Sequence, residues 1–257
     1  MDEHVKATHG RDRFFGIDFT TGTIPQIREL VAQAARSVRT TVVVTPNVDH
    51  IVGLSERLPE EVRSTYFSAD TFFCDSKIIG RLARWNDLDL TPRTGTDRVA
   101  DVLACDALQD LVVAVAGPTA EQTEALRKRF PGWRFIHIET PQKLVRGTIE
   151  WQACVDEASR QPWNILLSCL SFPKQEIFAC DVRAARISSG GVILCVGAAV
   201  DFLSGSQARA PMFFQRFGLE WFHRLITNPR RLWKRYLVEG PRIFLLYRKR
   251  RRGGTLL

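Results

Sequence analysis

Residues 171–216 read SFPKQEIFACDVRAARISSGGVILCVGAAVDFLSGSQARAPMFFQR. A polar turn, a helical stretch, the apolar run GVILCVGAAV and a second polar loop follow one another. The turn trails another apolar run, WNILLSCL at 163–170. Near-continuous apolar runs of this kind read as strands of a parallel sheet covered on both faces. In such a sheet, the loops at the carboxyl ends of the strands build the ligand crevice. These two loops hold Lys174, Gln175, Glu176, Asp201, Gln207 and Arg209. That is a dense polar set for a crevice, and it suits a polar, anionic ligand.

The same alternation extends toward the N-terminus. FFGIDF, TTVVV, TFFC, LVVAVA and WRFIHIE read as strands. Segments with helical spacing separate them, including IPQIRELVAQAARS, VDHIVGLSERL, SKIIGRLARW, RVADVLACDAL and a helix around 143–159. Thr119 and Gln122 form a capping box ahead of the helix EQTEALRKRF. Strands alternating with helices predict an α/β fold, a Rossmann-like parallel sheet with helices on both faces. Residues 1–13 are expected to be disordered, 14–205 to form the α/β domain, and 206–257 to form a basic C-terminal appendage.

The net charge is +8 over 257 residues, and its position matters more than its size. Thirteen Lys/Arg lie between Arg209 and Arg252, against only Glu220 and Glu239, so the rest of the chain is slightly acidic. Arg230, Arg231, Lys234 and Arg235 fall within roughly 140° of one another on a helical wheel, with Leu232, Trp233, Tyr236 and Leu237 opposite. This predicts a basic amphipathic helix, interrupted at Pro241 and followed by IFLLY and RKRRR. Such a segment points to an anionic surface, whether phospholipid, nucleic acid or a phosphorylated substrate. The six cysteines lie in apolar surroundings with no CxxC or zinc-type spacing, which fits free thiols in a reducing, cytoplasmic compartment. The polar N-terminus does not read as a signal peptide, and no apolar run approaches the ~18 residues of a membrane span.

Several motifs are missing. The chain has no GxGxxG after a strand, no GxxxxGK[ST], no GxSxG elbow, no HExxH and no histidine cluster. No metal site and no cofactor is expected. Asp87-Leu88-Asp89 matches a short metal-binding pattern but reads as a solvated turn. Other candidates carry two readings. Thr45, Asn47 and Asp49 follow a strand and either face the crevice or cap a helix. Asp75 is either a general base at a strand end or a helix N-cap. Arg93, with Gly95 and Asp97, offers a bidentate phosphate clamp or a capped surface loop. Lys174 can neutralise phosphate and Gln175 can hydrogen-bond a sugar or base, while Glu176 can simply favour a helix N-terminus. Asp201 and Arg209 can bind ligand or pair with each other.

Taken in order, TPNVDH, FFCDSKIIGRL, RTGTD, SFPKQE, VGAAVDFLSG, QARAP, GLEWFHRL, NPRR and RY resemble the WecG/TagA/CpsF family of bacterial glycosyltransferases over about residues 16–241. The resemblance implies a metal-independent, inverting sugar transfer, with a UDP-sugar as donor and a polyprenyl-diphosphate-linked glycan as acceptor. It implies a peripheral enzyme on the inner face of the cell membrane. It matches the family's Thr-x-Asn to Thr45 and Asn47, its proposed base to Asp75, its arginine to Arg93 and its glutamine to Gln175. Its C-terminal arginines, which close over the diphosphate and help hold the membrane, match Arg209, Arg224, Arg231 and Arg235. The chain departs from the pattern at Cys74, Ser76, Thr94, Glu139-Thr140 and Val200. The donor sugar and the final polymer are not readable, and oligomeric state, a homo-oligomer included, is left open. Two rival readings use the basic tail differently: a nucleic-acid-binding protein, or a non-catalytic scaffold for polysaccharide assembly. The absence of RRM, HTH or KH patterns weighs against nucleic acid as a partner.

Overall fold

The computed structural model describes residues 10–187, 189–217 and 219–252; the side chains of Gln215, Arg216, Arg224 and Arg231 fall outside that description. The chain runs β1 (Gly10–Phe14), β2 (Ile17–Thr21), α1 (Ile24–Ala35), β3 (Thr40–Val44), α2 (Val48–Glu56), α3 (Glu60–Phe67), β4 (Thr71–Phe72), α4 (Lys77–Arg84) and α5 (Gly95–Leu103). It continues through β5 (Val112–Ala116), α6 (Ala120–Arg129), β6 (Arg134–Ile138), α7 (Ile149–Arg160), β7 (Ile165–Ser168), α8 (Lys174–Ala185), β8 (Gly191–Cys195) and α9 (Ala199–Leu203). Four short helices close the chain: α10 (Met212–Phe217), α11 (Glu220–Thr227), α12 (Pro229–Trp233) and, after a π-helical turn at Lys234–Glu239, α13 (Arg242–Arg251).

One eight-stranded sheet has the order β1-β2-β4-β3-β8-β7-β5-β6. All its pairings are parallel except β1 with β2. The expected α/β architecture is therefore present. The alternation of side chains along each strand divides the core in two. Val42, Val44, Ile193 and Cys195 face one layer, with α2, α4, α8 and α13. Val43, Val113, Val115 and Leu194 face the other, with α1, α5 and α9.

The N-terminus differs from the expectation. Residues 10–13 are not disordered, and FFGIDF is not one strand. Gly10–Phe14 and Ile17–Thr21 form an antiparallel hairpin, turned by Phe15 (φ 50°) and Gly16 (φ 75°). Positive φ at both central residues matches the twist of a two-residue hairpin. Phe14 and Phe15 are fully buried beneath it, so a polar edge strand (GRDRF) is held by two aromatic anchors. The helix expected around 143–159 starts later, at Ile149. Gly147 takes φ 86° and Thr148 caps the helix by accepting from the Trp151 amide at 3.3 Å.

The C-terminal segment also departs from a simple amphipathic helix. Past Trp233 the turn widens, with the Gly240 amide donating to the Arg235 carbonyl at 2.8 Å. A wheel drawn at the α-helical pitch no longer holds there. Arg235 turns inward, 3.4 Å from the Asp49 carboxylate at the start of α2. The IFLLY run is split: Ile243, Leu246 and Tyr247 are buried in the same core as Phe14 and Phe15, while Phe244 and Leu245 are exposed. Burial of each apolar side chain contributes roughly 1.5–3 kcal/mol, so α13 is fastened by its core face. Among the described residues, no helix is long and apolar enough to cross a membrane.

Candidate active site

The turns that follow β3, β4, β8 and β7 meet at the carboxyl edge, and hydrogen bonds tie them in series. The Arg93 amide donates to the Cys74 carbonyl at 3.0 Å, and the Asp75 amide donates to the Pro46 carbonyl at 2.9 Å. The Thr45 hydroxyl donates to the Cys195 carbonyl at 2.8 Å. The Gly197 amide donates to Gln175 Oε1 at 2.8 Å. Thr45 and Asp75 from the turns after β3 and β4, Arg93 from the α4–α5 loop and Gln175 from the first turn of α8 are therefore brought to one edge of the sheet.

Local capping sorts the double readings. Ser76, not Asp75, caps α4, its hydroxyl accepting from the Ile79 amide at 3.3 Å. Asp75 is left half-buried, one residue outside the helix. Asn47 does cap α2, accepting from the Asp49 amide at 3.0 Å. Thr94 caps α5 and also donates to Asp97 Oδ2 at 2.8 Å. The buried Thr45 caps nothing.

The arginines are engaged with acids. Arg93 forms a two-pronged pair with Asp101, 2.6 Å for the Nη2–Oδ1 arm. Arg209 pairs with Asp97 at 2.5 Å, not with Asp201 as sequence allowed; Asp201 instead accepts from Gln122 Nε2 at 2.8 Å. Lys174 is committed to the Leu144 carbonyl at 2.7 Å, so its ammonium points away from the other turns. Arg224 and Arg231 sit on α11 and α12, with side chains outside the described residues. Asp87 occupies a left-handed turn (φ 57°) and Asp89 accepts from the Thr91 amide at 3.0 Å.

Behind this edge, on the face covered by α1 and α5, lies a cavity of about 520 Å³. Thr45, Phe73 and Arg93 line it, with Lys77 and Arg81 of α4 and Arg98 of α5. Gly80 makes the wall possible: a Cβ there would meet the Pro92 ring at 2.6 Å. Arg98 is the residue that sequence reasoning missed. It sits mid-helix, is 8% exposed and lies 4.5 Å over the Phe73 ring. Burial pushes its guanidinium down to about 10, and the Asp75 carboxylate pulls the other way.

A second buried group lies under the Gln175 turn. Glu176 is 1% exposed, and burial raises its carboxyl to about 8, against the opposing pull of the Gln175 hydrogen bond. It is therefore protonated at neutral pH and does not act as a charge on the helix N-terminus. His50 stands 3.6 Å from it and 3.1 Å from the Tyr66 hydroxyl, and burial lowers its imidazole to about 3. A neutral His50 and a neutral Glu176 pack beneath the crevice, and Gln175 links them to the Gly197 turn by donating to Glu176 at 2.8 Å. The only advance signal was a polar pair set inside apolar spacing, VDHIVGL and KQEIF.

The model of the glycosyl transferase WecG/TagA/CpsF family matches residues 13–255. The chain belongs to this family of glycosyl transferases. A relative from Bacillus spizizenii (strain ATCC 23059 / NRRL B-14472 / W23), named N-acetylglucosaminyldiphosphoundecaprenol N-acetyl-beta-D-mannosaminyltransferase, is 33% identical over 118 residues. That alignment spans 46% of this chain and 43% of the relative. Family membership places the series of strand-end turns in a glycosyl-transferring fold, and the resemblance read from the sequence stands.

Proposed function

We propose that the protein is an inverting, metal-independent glycosyltransferase. It moves a hexose-type sugar from a UDP-sugar to a glycan on a polyprenyl diphosphate, in cell-surface or exopolysaccharide synthesis. The observation that carries this reading is the position of Asp75: half-buried just past the end of β4, and anchored through its amide to the Thr45–Asn47 turn at 2.9 Å. Asp75 takes the proton from an acceptor hydroxyl. That oxygen bonds to the anomeric carbon from the face opposite UDP, the bond from the anomeric carbon to the diphosphate oxygen breaks, and UDP leaves. Arg93 and Arg209, with Arg224, Arg231 and Arg235 from the appendage, neutralise the charge that develops on the diphosphate. Guanidinium groups and backbone amides already in place stabilise such charge without reorganisation. Thr45, Asn47, Asp97, Gln175 and Asp201 shape the pocket around the two substrates, and Lys174, held by the Leu144 carbonyl, supports the Gln175 turn from outside it.

The lipid acceptor requires a surface that reaches a membrane. Phe213, Phe217, Trp233, Leu237 and Leu245 are exposed within the same segment that carries the thirteen basic residues. Aromatic and aliphatic side chains beside cations give reversible binding to an anionic leaflet, and they favour this reading over nucleic acid. Together with the free cysteines, this supports a cytoplasmic enzyme, peripheral on the inner membrane face.

The deciding experiment screens UDP-sugars for UDP release with a short-chain prenyl-diphosphate glycan, using wild type and Asp75→Asn. A positioned base is worth ~10²–10⁴-fold in rate. The variant is expected to lose turnover to that extent with its melting temperature unchanged; near wild-type turnover removes Asp75 from the mechanism. Loss of activity in EDTA and recovery with manganese would bring Asp87 and Asp89 back as ligands.

A further inference from the structure

The cavity behind the crevice is aliphatic below and cationic above. Its floor is Ile27, Val31, Val43, Val102, Leu194 and Val196, and its rim carries Arg28, Lys77, Arg81 and Arg84. Asp89 and Asp101 also line it, but Asp101 is taken up by Arg93. Arg98 reaches its wall from inside the protein. Its Nε has no acceptor, and among the described residues no carboxylate lies within ion-pairing distance; its one hydrogen bond is a long one, 3.4 Å from Nη2 to the Cys74 carbonyl. A desolvated cation whose partners are one long hydrogen bond and the face of the Phe73 ring is costly to the folded protein, and an anion in the cavity would offset that cost.

The mouth faces apolar surface. Arg81 at the rim donates to the Phe217 carbonyl at 2.9 Å, which sets α10 beside the opening. Met212, Phe213 and Phe217 of α10 are all exposed. One turn further along α4, the exposed Trp85 meets Tyr247 of α13 at 6.0 Å between ring centroids. An aromatic and aliphatic border thus leads to a cationic rim and then to an aliphatic floor. The hydroxyl of the buried Thr45, on the lining, already donates to the Cys195 carbonyl, and the branched aliphatic side chains of the floor suit a branched hydrocarbon.

We propose that this cavity is the acceptor's lipid subsite: it takes the diphosphate at its cationic rim and the first isoprene units on its aliphatic floor. This rests on the proposed function, and it goes beyond it in lifting the start of the lipid out of the membrane and into the domain. Arg98 Nη2 reaches the carbonyl of Cys74, the residue before Asp75, at 3.4 Å, so a diphosphate held at this wall presents its attached sugar to the carboxylate.

The test is calorimetric titration of the whole chain with farnesyl diphosphate, inorganic diphosphate and UDP. Farnesyl diphosphate should bind about tenfold more tightly than inorganic diphosphate, or better. Val31→Phe, which fills the floor, should weaken farnesyl diphosphate about tenfold and leave inorganic diphosphate and UDP alone. Arg84→Glu should weaken both farnesyl diphosphate and inorganic diphosphate. Ile24→Asp, at an exposed position on the mouth, tests the same point should Val31→Phe fail to fold. Equal affinity for the two diphosphates, or farnesyl diphosphate binding indifferent to these changes, overturns the assignment. UDP that competes with farnesyl diphosphate and is itself weakened by Val31→Phe also overturns it and makes the cavity a nucleotide site. Transfer assays separate the two claims. Turnover with an unchanged KM for the prenyl-linked acceptor in Val31→Phe sinks the subsite and spares the function. Floor-dependent farnesyl diphosphate binding in a protein that transfers no sugar does the reverse.

Discussion

The crevice and the C-terminal appendage hold their parts in place by different means. At the crevice, the turns are tied through buried or half-buried hydrogen bonds in which the backbone takes part: 93 to 74, 75 to 46, 45 to 195 and 197 to 175. The appendage docks through half-exposed ion pairs. Arg57 bridges Asp49 at 2.7 Å and Glu239 at 2.5 Å, and Arg242 reaches Glu56 at 2.6 Å. Among the described residues, α13 adds a buried face of Ile243, Leu246 and Tyr247, while α11 adds the single side chain Leu225. Buried hydrogen bonds fix geometry and are indifferent to salt, whereas exposed pairs contribute about 0–1 kcal/mol each and are screened. On the proposed function, the chemistry sits on the tightly tied part, and the part that meets the membrane is held by screened pairs.

The comparison can be broken at several places. Asp75→Asn should show the largest effect, losing ~10²–10⁴ in turnover without loss of stability; a parallel fall in melting temperature would mean that Asp75 holds the edge together instead. Next in size, Leu246→Ala in α13 should destabilise the whole domain by about 2–5 kcal/mol in urea unfolding. A negligible change would show α13 to be as detachable as its neighbours. For the same reason, truncation at residue 230 removes core residues along with charge, so membrane binding is better tested by Trp233→Ser with Leu245→Ser, which should reduce co-sedimentation with anionic vesicles.

The buried pair under the crevice gives a pH signature. Glu176 is held protonated, up to about 8 rather than 4.5, so its contribution is present below pH 4.5 and lost as pH rises through 8. His50 is held neutral, down to about 3 rather than 6.5, so its contribution is present above pH 6.5 and lost as pH falls through 3. Between 4.5 and 6.5 folded and unfolded chains bind equal numbers of protons at these two sites, and their joint contribution to stability is level there. Thermal melts should show a plateau in that window, with losses on both sides; Glu176→Gln should remove the alkaline loss and turn the plateau into a fall that begins at 6.5 as pH is lowered, because His50 then titrates without its counterweight. A wild-type curve that stays flat from 6.5 to 8 would mean that Glu176 is ionised in the fold. The smallest expected effect is at Arg57: Arg57→Ala should cost about 1 kcal/mol or less yet speed hydrogen exchange across 234–239, as should high salt in the wild type.

The sheet was legible because TTVVV, LVVAVA, ILLS and GVILC are too apolar for anything but strands covered on both faces. The strand-end turns followed from that, which is why Thr45, Asp75, Arg93 and Gln175 could be picked from the sequence. Other features left no such trace. GRDRF is polar, and only the two buried phenylalanines after it reveal an edge strand. Ser76 and Asp75 are both good caps, and the choice between them rests on a single residue of helix phase. Arg235 faces inward because a π-turn rotates it away from the side that an α-helical wheel assigns. Arg98 looks like any solvated helical arginine until α4 and α5 close around it.

Gly80 gives the enzyme a dial. Its bare Cα lets the Pro92 ring rest against α4, and the loop that rides on Pro92 also carries Arg93. A single methyl group there would lever that loop outward and widen the bore between the two helices without altering one charge. On the proposed lipid subsite, the size of the side chain at position 80 sets the width of chain that the cavity takes.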